Sequence, residues 1–385
     1  MGGYINERTP AASGHLWCPP LGGMDMTEPA QSETPRIAIA ATPHSATADH
    51  VRRWLTSAPA QAAQAIVEQH PDLATALASL DDFESDIIAV AAAEWYALHP
   101  EHDPDGLQVV TALPRRDENH VLIAEDRIDH LPYKAVILSR GRLARRQLRR
   151  YRDDFRVLSP KAFADEYELP SPVDIHGIEL VDYLESLRTA GTIDGYVTSL
   201  HTYDESGTGG RRHRLFTDPM EGDDKRFLPT PLHGLTLFIS RIGFPLALAE
   251  QLGDKGAHTA WQCERILLFN QKTEHRDKVG MVVRHRQVAS LLRQADEERD
   301  LMRAQALLDE EGEVRDHETK VEIIIEAISR RGDKTLLLER LMPISEALPV
   351  TRVLAGEWRK LLVEMLAPHD AHPRLGEARP PFMDL

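Results

Sequence analysis

"KAVILSRGRLARRQLRRYRDDFRVLSP", residues 134–160, decides the fold class. Its first six residues are nearly all apolar, as in a strand covered on both faces. The middle carries a helical period. Leu143, Gln147, Leu148, Tyr151 and Phe155 fall near one face by three-and-four spacing, and Arg142, Arg145, Arg146, Arg149, Arg150 and Arg152 spread round the remainder. "FRVLSP" (155–160) returns to a strand pattern, and "KAFADEYEL" follows as a short helix. Strand, helix, strand, helix marks a βαβ unit, so the arginine-rich segment is a crossover helix with one face committed to packing.

Upstream, "LQVVTAL" (107–113) and "HVLIAED" (120–126) read as strands, with "PRRDEN" between them as a hairpin loop. Farther back, "RIAIAATP" (36–43) is a short strand. "SATADHVRRWLTSAPAQAAQAIVEQHPDLATALASL" reads as helices, the first capped by Ser45 or Thr47. "DDFESDIIAVAAAEWYALHP" reads as one more helix, ending before Pro100.

Downstream, the prolines of "LPSPVDIHG" (169–177) mark a boundary, and "IELVDYLESLRTAG" is a helix closed by Gly191. "IDGYVTSLHTY" and "RHRLFTD" flank "DESGTGGR" as a β-hairpin with a long glycine loop. From residue 246 helical periods dominate, including "KVEIIIEAISRRGDKTLLLERLMPISEAL", and predict a bundle. The expectation is a mixed α+β protein. It has a helical N-terminal region with a small α/β (βαβ) unit, then a hairpin-containing region and a C-terminal helical bundle. The boundaries fall at 1–35 (disordered tail), 36–170 (helical plus α/β), 171–368 (hairpin plus helices) and 369–385 (Pro-rich tail).

The 385 residues are 42% hydrophobic, enough for a sizeable core, and carry a net charge of −16. So acidic a chain is no general polyanion binder, and any anionic partner must meet a local basic patch. Cys18 and Cys263 make no disulfide framework or zinc knuckle by themselves. "MGGYINERTPAASGHLWCPP" lacks a basic segment followed by an apolar stretch, and the longest apolar run (234–253) contains Arg241, Pro245 and Glu250. The expectation is a cytoplasmic protein with no membrane contact.

The arginine-rich helix offers bidentate donors suited to phosphate oxygens, and Ser139 and Gly141 sit at a strand-to-helix junction where ligands bind in open α/β sheets. GxGxxG and GxxxxGK[ST] patterns are absent. "DESGTGGRRHR" (204–214) adds Gly207, Gly209 and Gly210 with Arg211, Arg212, His213 and Arg214. Glu125 and Asp126, with Asp129 and Lys134 near, stand at a strand end where acids can hold a divalent metal. His201, His213 and His233 have no HExxH, HxH or CxxC spacing, so no metal set is assigned, and no cofactor is indicated. Three readings follow. The first is an intracellular accessory protein that meets a polyanion, most readily nucleic acid, through Arg142, Arg145, Arg146, Arg149, Arg150, Arg211, Arg212 and Arg214. The second is a metal-dependent or nucleotide-binding enzyme acting on a phosphate ester. The third is a scaffold binding protein partners through its C-terminal helices.

Overall fold

Unbroken runs of β-branched and small apolar residues build the first sheet. The computed structural model describes residues 34–40, 47–57, 64–116, 120–217, 225–269, 271 and 273–366. The expected tails (1–35 except residues 34 and 35, and 369–385), the Ser45 cap and residues 117–119 of "PRRDEN" lie outside them. The first lobe runs β1 (Arg36–Ala40), α1 (Thr47–Leu55), β2 (Ile66–His70), α2 (Leu73–Asp81), β3 (Ile87–Ala91), α3 (Ala92–Leu98) and β4 (Leu107–Leu113). "IIAVA" in β3 is buried along nearly its whole length, because the sheet is covered on both faces. Ile37, Ile39, Ile87 and Ala89 point to one core with Val51, while Ala38, Ile88 and Val90 point to the other with Trp95. Asp72 caps α2 by accepting from the Thr75 N–H at 2.8 Å.

The second lobe runs β5 (His120–Ala124), a 3₁₀ turn at Ile128–His130, β6 (Val136–Ser139), α4 (Arg142–Tyr151), β7 (Arg156–Leu158), α5 (Pro160–Glu166), α6 (Gly177–Thr189), β8 (Gly195–Ser199), α7 (Leu200–Ser206) and β9 (Arg212–Leu215). β10 (Thr236–Arg241) then returns to the first sheet. The rest comprises α8 (Leu246–Leu252), α9 (Lys255–Phe269), α10 (Thr273–Arg276), β11 (Val279–Arg286), α11 (Val288–Glu297), α12 (Leu301–Leu307), β12 (Lys320–Ile328), β13 (Thr335–Pro343), a 3₁₀ turn at Ile344–Glu346 and α13 (Ala347–Leu366).

Two of the sheets share one topology. Their orders are β2-β1-β3-β10-β4 and β7-β6-β8-β5-β9. In each, the second position pairs parallel with both neighbours, and the fourth pairs antiparallel on both sides. The antiparallel strand comes from the other half of the chain: β5 follows the edge strand of the first sheet, and β10 follows that of the second. Two crossovers, 114–119 and 216–235, therefore join the lobes. The 170/171 division expected from the prolines falls between α5 and α6, within the second lobe.

Several expected elements are corrected. "IVEQH" is β2 rather than helix, and "DDFESDIIAVAAAEWYALHP" contains β3 followed directly by α3. A continuous apolar run satisfies helical and strand periods alike, and burial on both faces selects the strand. β8 and β9 do not form a hairpin. Each pairs with β5, which lies between them, and α7 connects them. β4 and β5 are likewise no hairpin, since they belong to different sheets. The expected C-terminal bundle is an antiparallel sheet, β11-β12-β13, packed on α9 and α13. "KVEIIIEAI" is buried at all nine positions, and "SRRGDK" is its hairpin turn.

That turn docks on α4. Gly332 has φ +84°, and a Cβ there would stand 2.5 Å from the Arg150 backbone nitrogen. Gly332→Ala should therefore destabilise the chain by about 2 kcal/mol. Urea unfolding followed by circular dichroism measures this, and a loss below about 0.5 kcal/mol contradicts the close docking.

Candidate functional site

In the second lobe β6 connects outward to β7 on one side, while β8 lies on its other side. The gap between the carboxyl ends of β6 and β8 is thus a topological switch point, the place where open α/β sheets leave a crevice. A cavity of about 520 Å³ opens there. Its walls are Ser139 and Gly141 after β6, Ser199 and Thr202 after β8, His176 and Gly177 at the start of α6, and Thr230 of the second crossover. Leu143, Leu180, Leu184 and Val197 supply an apolar side, and His120 stands at the start of β5.

Two helices begin at this cavity without a side-chain cap. Gly141 precedes α4 and His176 precedes α6, and neither side chain caps its helix. The first N–H groups of a helix have no intrahelical acceptor, so both helices direct donors toward the cavity. The turn after β6 is held rigidly. Arg145 donates to the Ser139 and Arg140 carbonyls, both at 2.7 Å. Arg140 reaches the Ile175 carbonyl at 3.0 Å, tying this turn to the approach of α6. Ser199 Oγ caps α7 through the Thr202 N–H at 3.2 Å and lies 2.6 Å from Thr202 Oγ1.

Several histidines stand at the crossover region. His120 and His233 stack with centroids 5.0 Å apart. Burial, then the charges of His120, Arg115 and Arg116, push His233 down to about 3. His50 of α1 is buried, with Nδ1 2.9 Å from Thr236 Oγ1. Burial and the Arg116 charge lower it to about 4.

The expected arginine candidates do not converge on this cavity. Arg142 pairs with Asp277 at 3.1 Å, and Arg145 holds the turn already described. Arg146 donates to the Ile328 carbonyl at 2.5 Å, and Arg149 to Arg330 and Val157 carbonyls at 3.0 and 2.7 Å. Arg150 pairs with Glu326 at 2.6 Å and also reaches the Arg226 carbonyl. The outer face of α4 is thus docked on the β12–β13 hairpin. Arg211 pairs with Glu125 at 3.2 Å, Arg212 pairs with Asp204, and Arg214 is exposed on β9. Gly207 ends α7 with φ +67°, and Tyr203 Oη donates to the Gly210 carbonyl, so that glycine loop closes on its own lobe. Of the expected strand-to-helix junction, Ser139 and Gly141 do line the cavity.

No family model matches the chain, and no curated protein matches it. Solved structures do. An ABC transporter protein from Parabacteroides distasonis is 14% identical over 84% of this chain and 92% of its own, with a TM-score of 0.34. A TRAP periplasmic solute binding protein from Desulfovibrio salexigens is 12% identical over 58% and 72%, at 0.29. A putative methionine-binding lipoprotein from Bacillus subtilis is 13% identical over 57% and 90%, at 0.28.

Several functional expectations are corrected. The nucleic-acid partner and the polyanion-binding accessory role are withdrawn: the matched structures are named as transporter and solute-binding proteins, and Arg145, Arg146, Arg149 and Arg150, meant to carry that role, spend their donors on carbonyls and a carboxylate of the chain itself. The cytoplasmic placement is withdrawn as well: one matched structure is named as periplasmic and one as a lipoprotein, and nothing in the fold supports the cytoplasm. The phosphate-ester enzyme loses its acidic centre, since Glu125 is exposed and paired with Arg211. The interaction scaffold loses its bundle, which is a sheet.

Sequence reasoning missed His120, His176, Ser199, Thr202 and Thr230. Ser199 carries the one usable signal, a helix N-cap directly after a strand. The others come together only through the crossovers.

Proposed function

We propose that this protein binds a small solute in the β6/β8 cavity. The observation that carries the reading is the cavity's position at the switch point, where two uncapped helix starts and the Ser199–Thr202 hydroxyl pair converge. The lining selects a molecule with an acceptor-rich head, such as a carboxylate, and a short apolar portion facing Leu180 and Leu184. A volume of about 520 Å³ suits a metabolite-sized ligand.

A panel of free amino acids, short-chain mono- and dicarboxylates and inorganic phosphate, read by thermal shift on the full chain, tests the reading. At least one class should raise the midpoint in a saturable way. Thr202→Ala should then weaken that ligand about fivefold, the value of one neutral hydrogen bond. An unchanged affinity in Thr202→Ala removes that hydroxyl from the site.

A further inference from the structure

Outside the cavity, α1 of the first lobe meets α7 of the second. There Asp49, His201 and Glu205 bring one ligand atom each within 4.8 Å of one another. His201 and Glu205 are one turn apart on the same face of α7, with Nε2 and Oε1 separated by 2.8 Å. Asp49 lies in the first turn of α1. Its spacing from the other two is invisible in the sequence, because the trio exists only where the lobes come together.

We propose that Asp49, His201 and Glu205 form a transition-metal site, best suited to Zn²⁺, that bridges the two lobes. One imidazole and two carboxylates with an open fourth position is a ligand set that zinc accepts. Zinc bonds of about 2.0–2.2 Å place ligand atoms roughly 3.5 Å apart, so small rotations of the two carboxylates complete the site. Both carboxylate side chains are about half exposed, at 49% and 44%, which leaves them free to make those rotations. The nitrogen ligand disfavours Mg²⁺ and Ca²⁺, which prefer oxygen alone.

The surrounding charges set the terms. Arg52 pairs with Asp49 at 3.4 Å and must yield it. Burial first, then the Arg116 charge, lower His201, with Arg53 acting the same way and Glu205 and Asp49 opposing. The nearby guanidinium groups weaken the site without removing its ligands. None of the three residues lines the cavity, so the inference stands apart from the solute reading.

Calorimetric titration of the full chain with ZnCl₂, and with MgCl₂ as the control, tests it. Zinc should bind at a site that His201→Ala and Asp49→Asn each weaken on the order of 100-fold, while magnesium shows no such site. Zinc should also raise the thermal midpoint of the parent but not of Asp49→Asn. These side chains are outside the core, so all variants should melt as the parent does without metal. Zinc affinity unchanged in Asp49→Asn overturns the proposal, because the site then lies within one lobe or elsewhere. A parent that binds no zinc overturns it as well, and leaves the trio as a hydrogen-bonded contact.

Discussion

Arg115→Met should lower the unfolding free energy by about 3–5 kcal/mol. Arg115 and Glu264 form a buried ion pair, with side chains 5% and 0% exposed. Glu264 of α9 also accepts from the Leu232 N–H at 2.6 Å and the Val283 N–H at 3.2 Å, and Arg115 donates to the His233 carbonyl. One carboxylate therefore ties together the first crossover, the second crossover and β11 of the third sheet. α9 reinforces the junction, with Trp261 and Leu268 in the first lobe's core and Cys263 and Leu267 in the core of the third sheet. Burial already pushes the Glu264 carboxyl up, and the Arg115 charge is the foremost influence opposing it. Removing Arg115 strands the carboxylate, which must take up a proton or stay charged in the dry core. The double variant Arg115→Met/Glu264→Leu should recover only part of the loss, since the Leu232 and Val283 N–H groups lose their acceptor. Urea denaturation of parent, single and double variants checks this, and a single-variant loss under about 1 kcal/mol contradicts it.

Acidification should destabilise the fold well before the carboxylates titrate. His50 sits at about 4 when folded, against an ordinary value of 6.5. A histidine lowered in the folded state binds fewer protons there than in the unfolded chain. Its stabilisation is complete above pH 6.5 and is lost as the pH falls from 6.5 toward 4. For His50 the loss is about 3 kcal/mol by pH 4. His233, lowered to about 3, acts in the same direction over a window that extends to lower pH. It retains part of its surface in water, so its share is smaller. The thermal midpoint should fall steadily from pH 6.5 to 4.5, and less steeply in His50→Gln. A flat midpoint across that range contradicts the lowered values of His50 and His233 in the folded chain.

The βαβ unit at 134–160 was legible because its helix is short, strongly patterned and bracketed by apolar runs. β6, α4 and β7 occupy those segments, and β6 pairs parallel with β7. The fate of its arginines was not legible. Their spacing shows which side of α4 faces its own sheet, and nothing in it reveals a hairpin from 320–343 docking on the other side. β12 and β3 were misread for a different reason: "EIII" and "DIIAVA" contain apolar residues at every offset, so period alone chooses neither helix nor strand. The crossovers were hidden for a third. β4 and β5 are successive in sequence and look like a hairpin, and only their membership in separate sheets shows the chain passing between lobes. Part of the cavity could be read, since Ser139 and Gly141 mark a strand-to-helix junction. The opposing wall at Ser199, Thr202 and Thr230 depends on long-range pairing.

The measurement closest to the central claim is calorimetric titration of the parent and Gly141→Phe with the solute class that stabilises the parent. Gly141 has φ −66° and ψ 125°, which any residue adopts, and a Cβ there meets only ordinary contacts, the nearest at 3.7 Å. A phenyl ring at this position adds bulk to the cavity wall at a backbone conformation that any residue adopts. The account predicts one-to-one binding by the parent and its loss in Gly141→Phe, with the ligand-free fold weakened by no more than about 1 kcal/mol, the value of a glycine N-cap. Equal binding by the two proteins would contradict it.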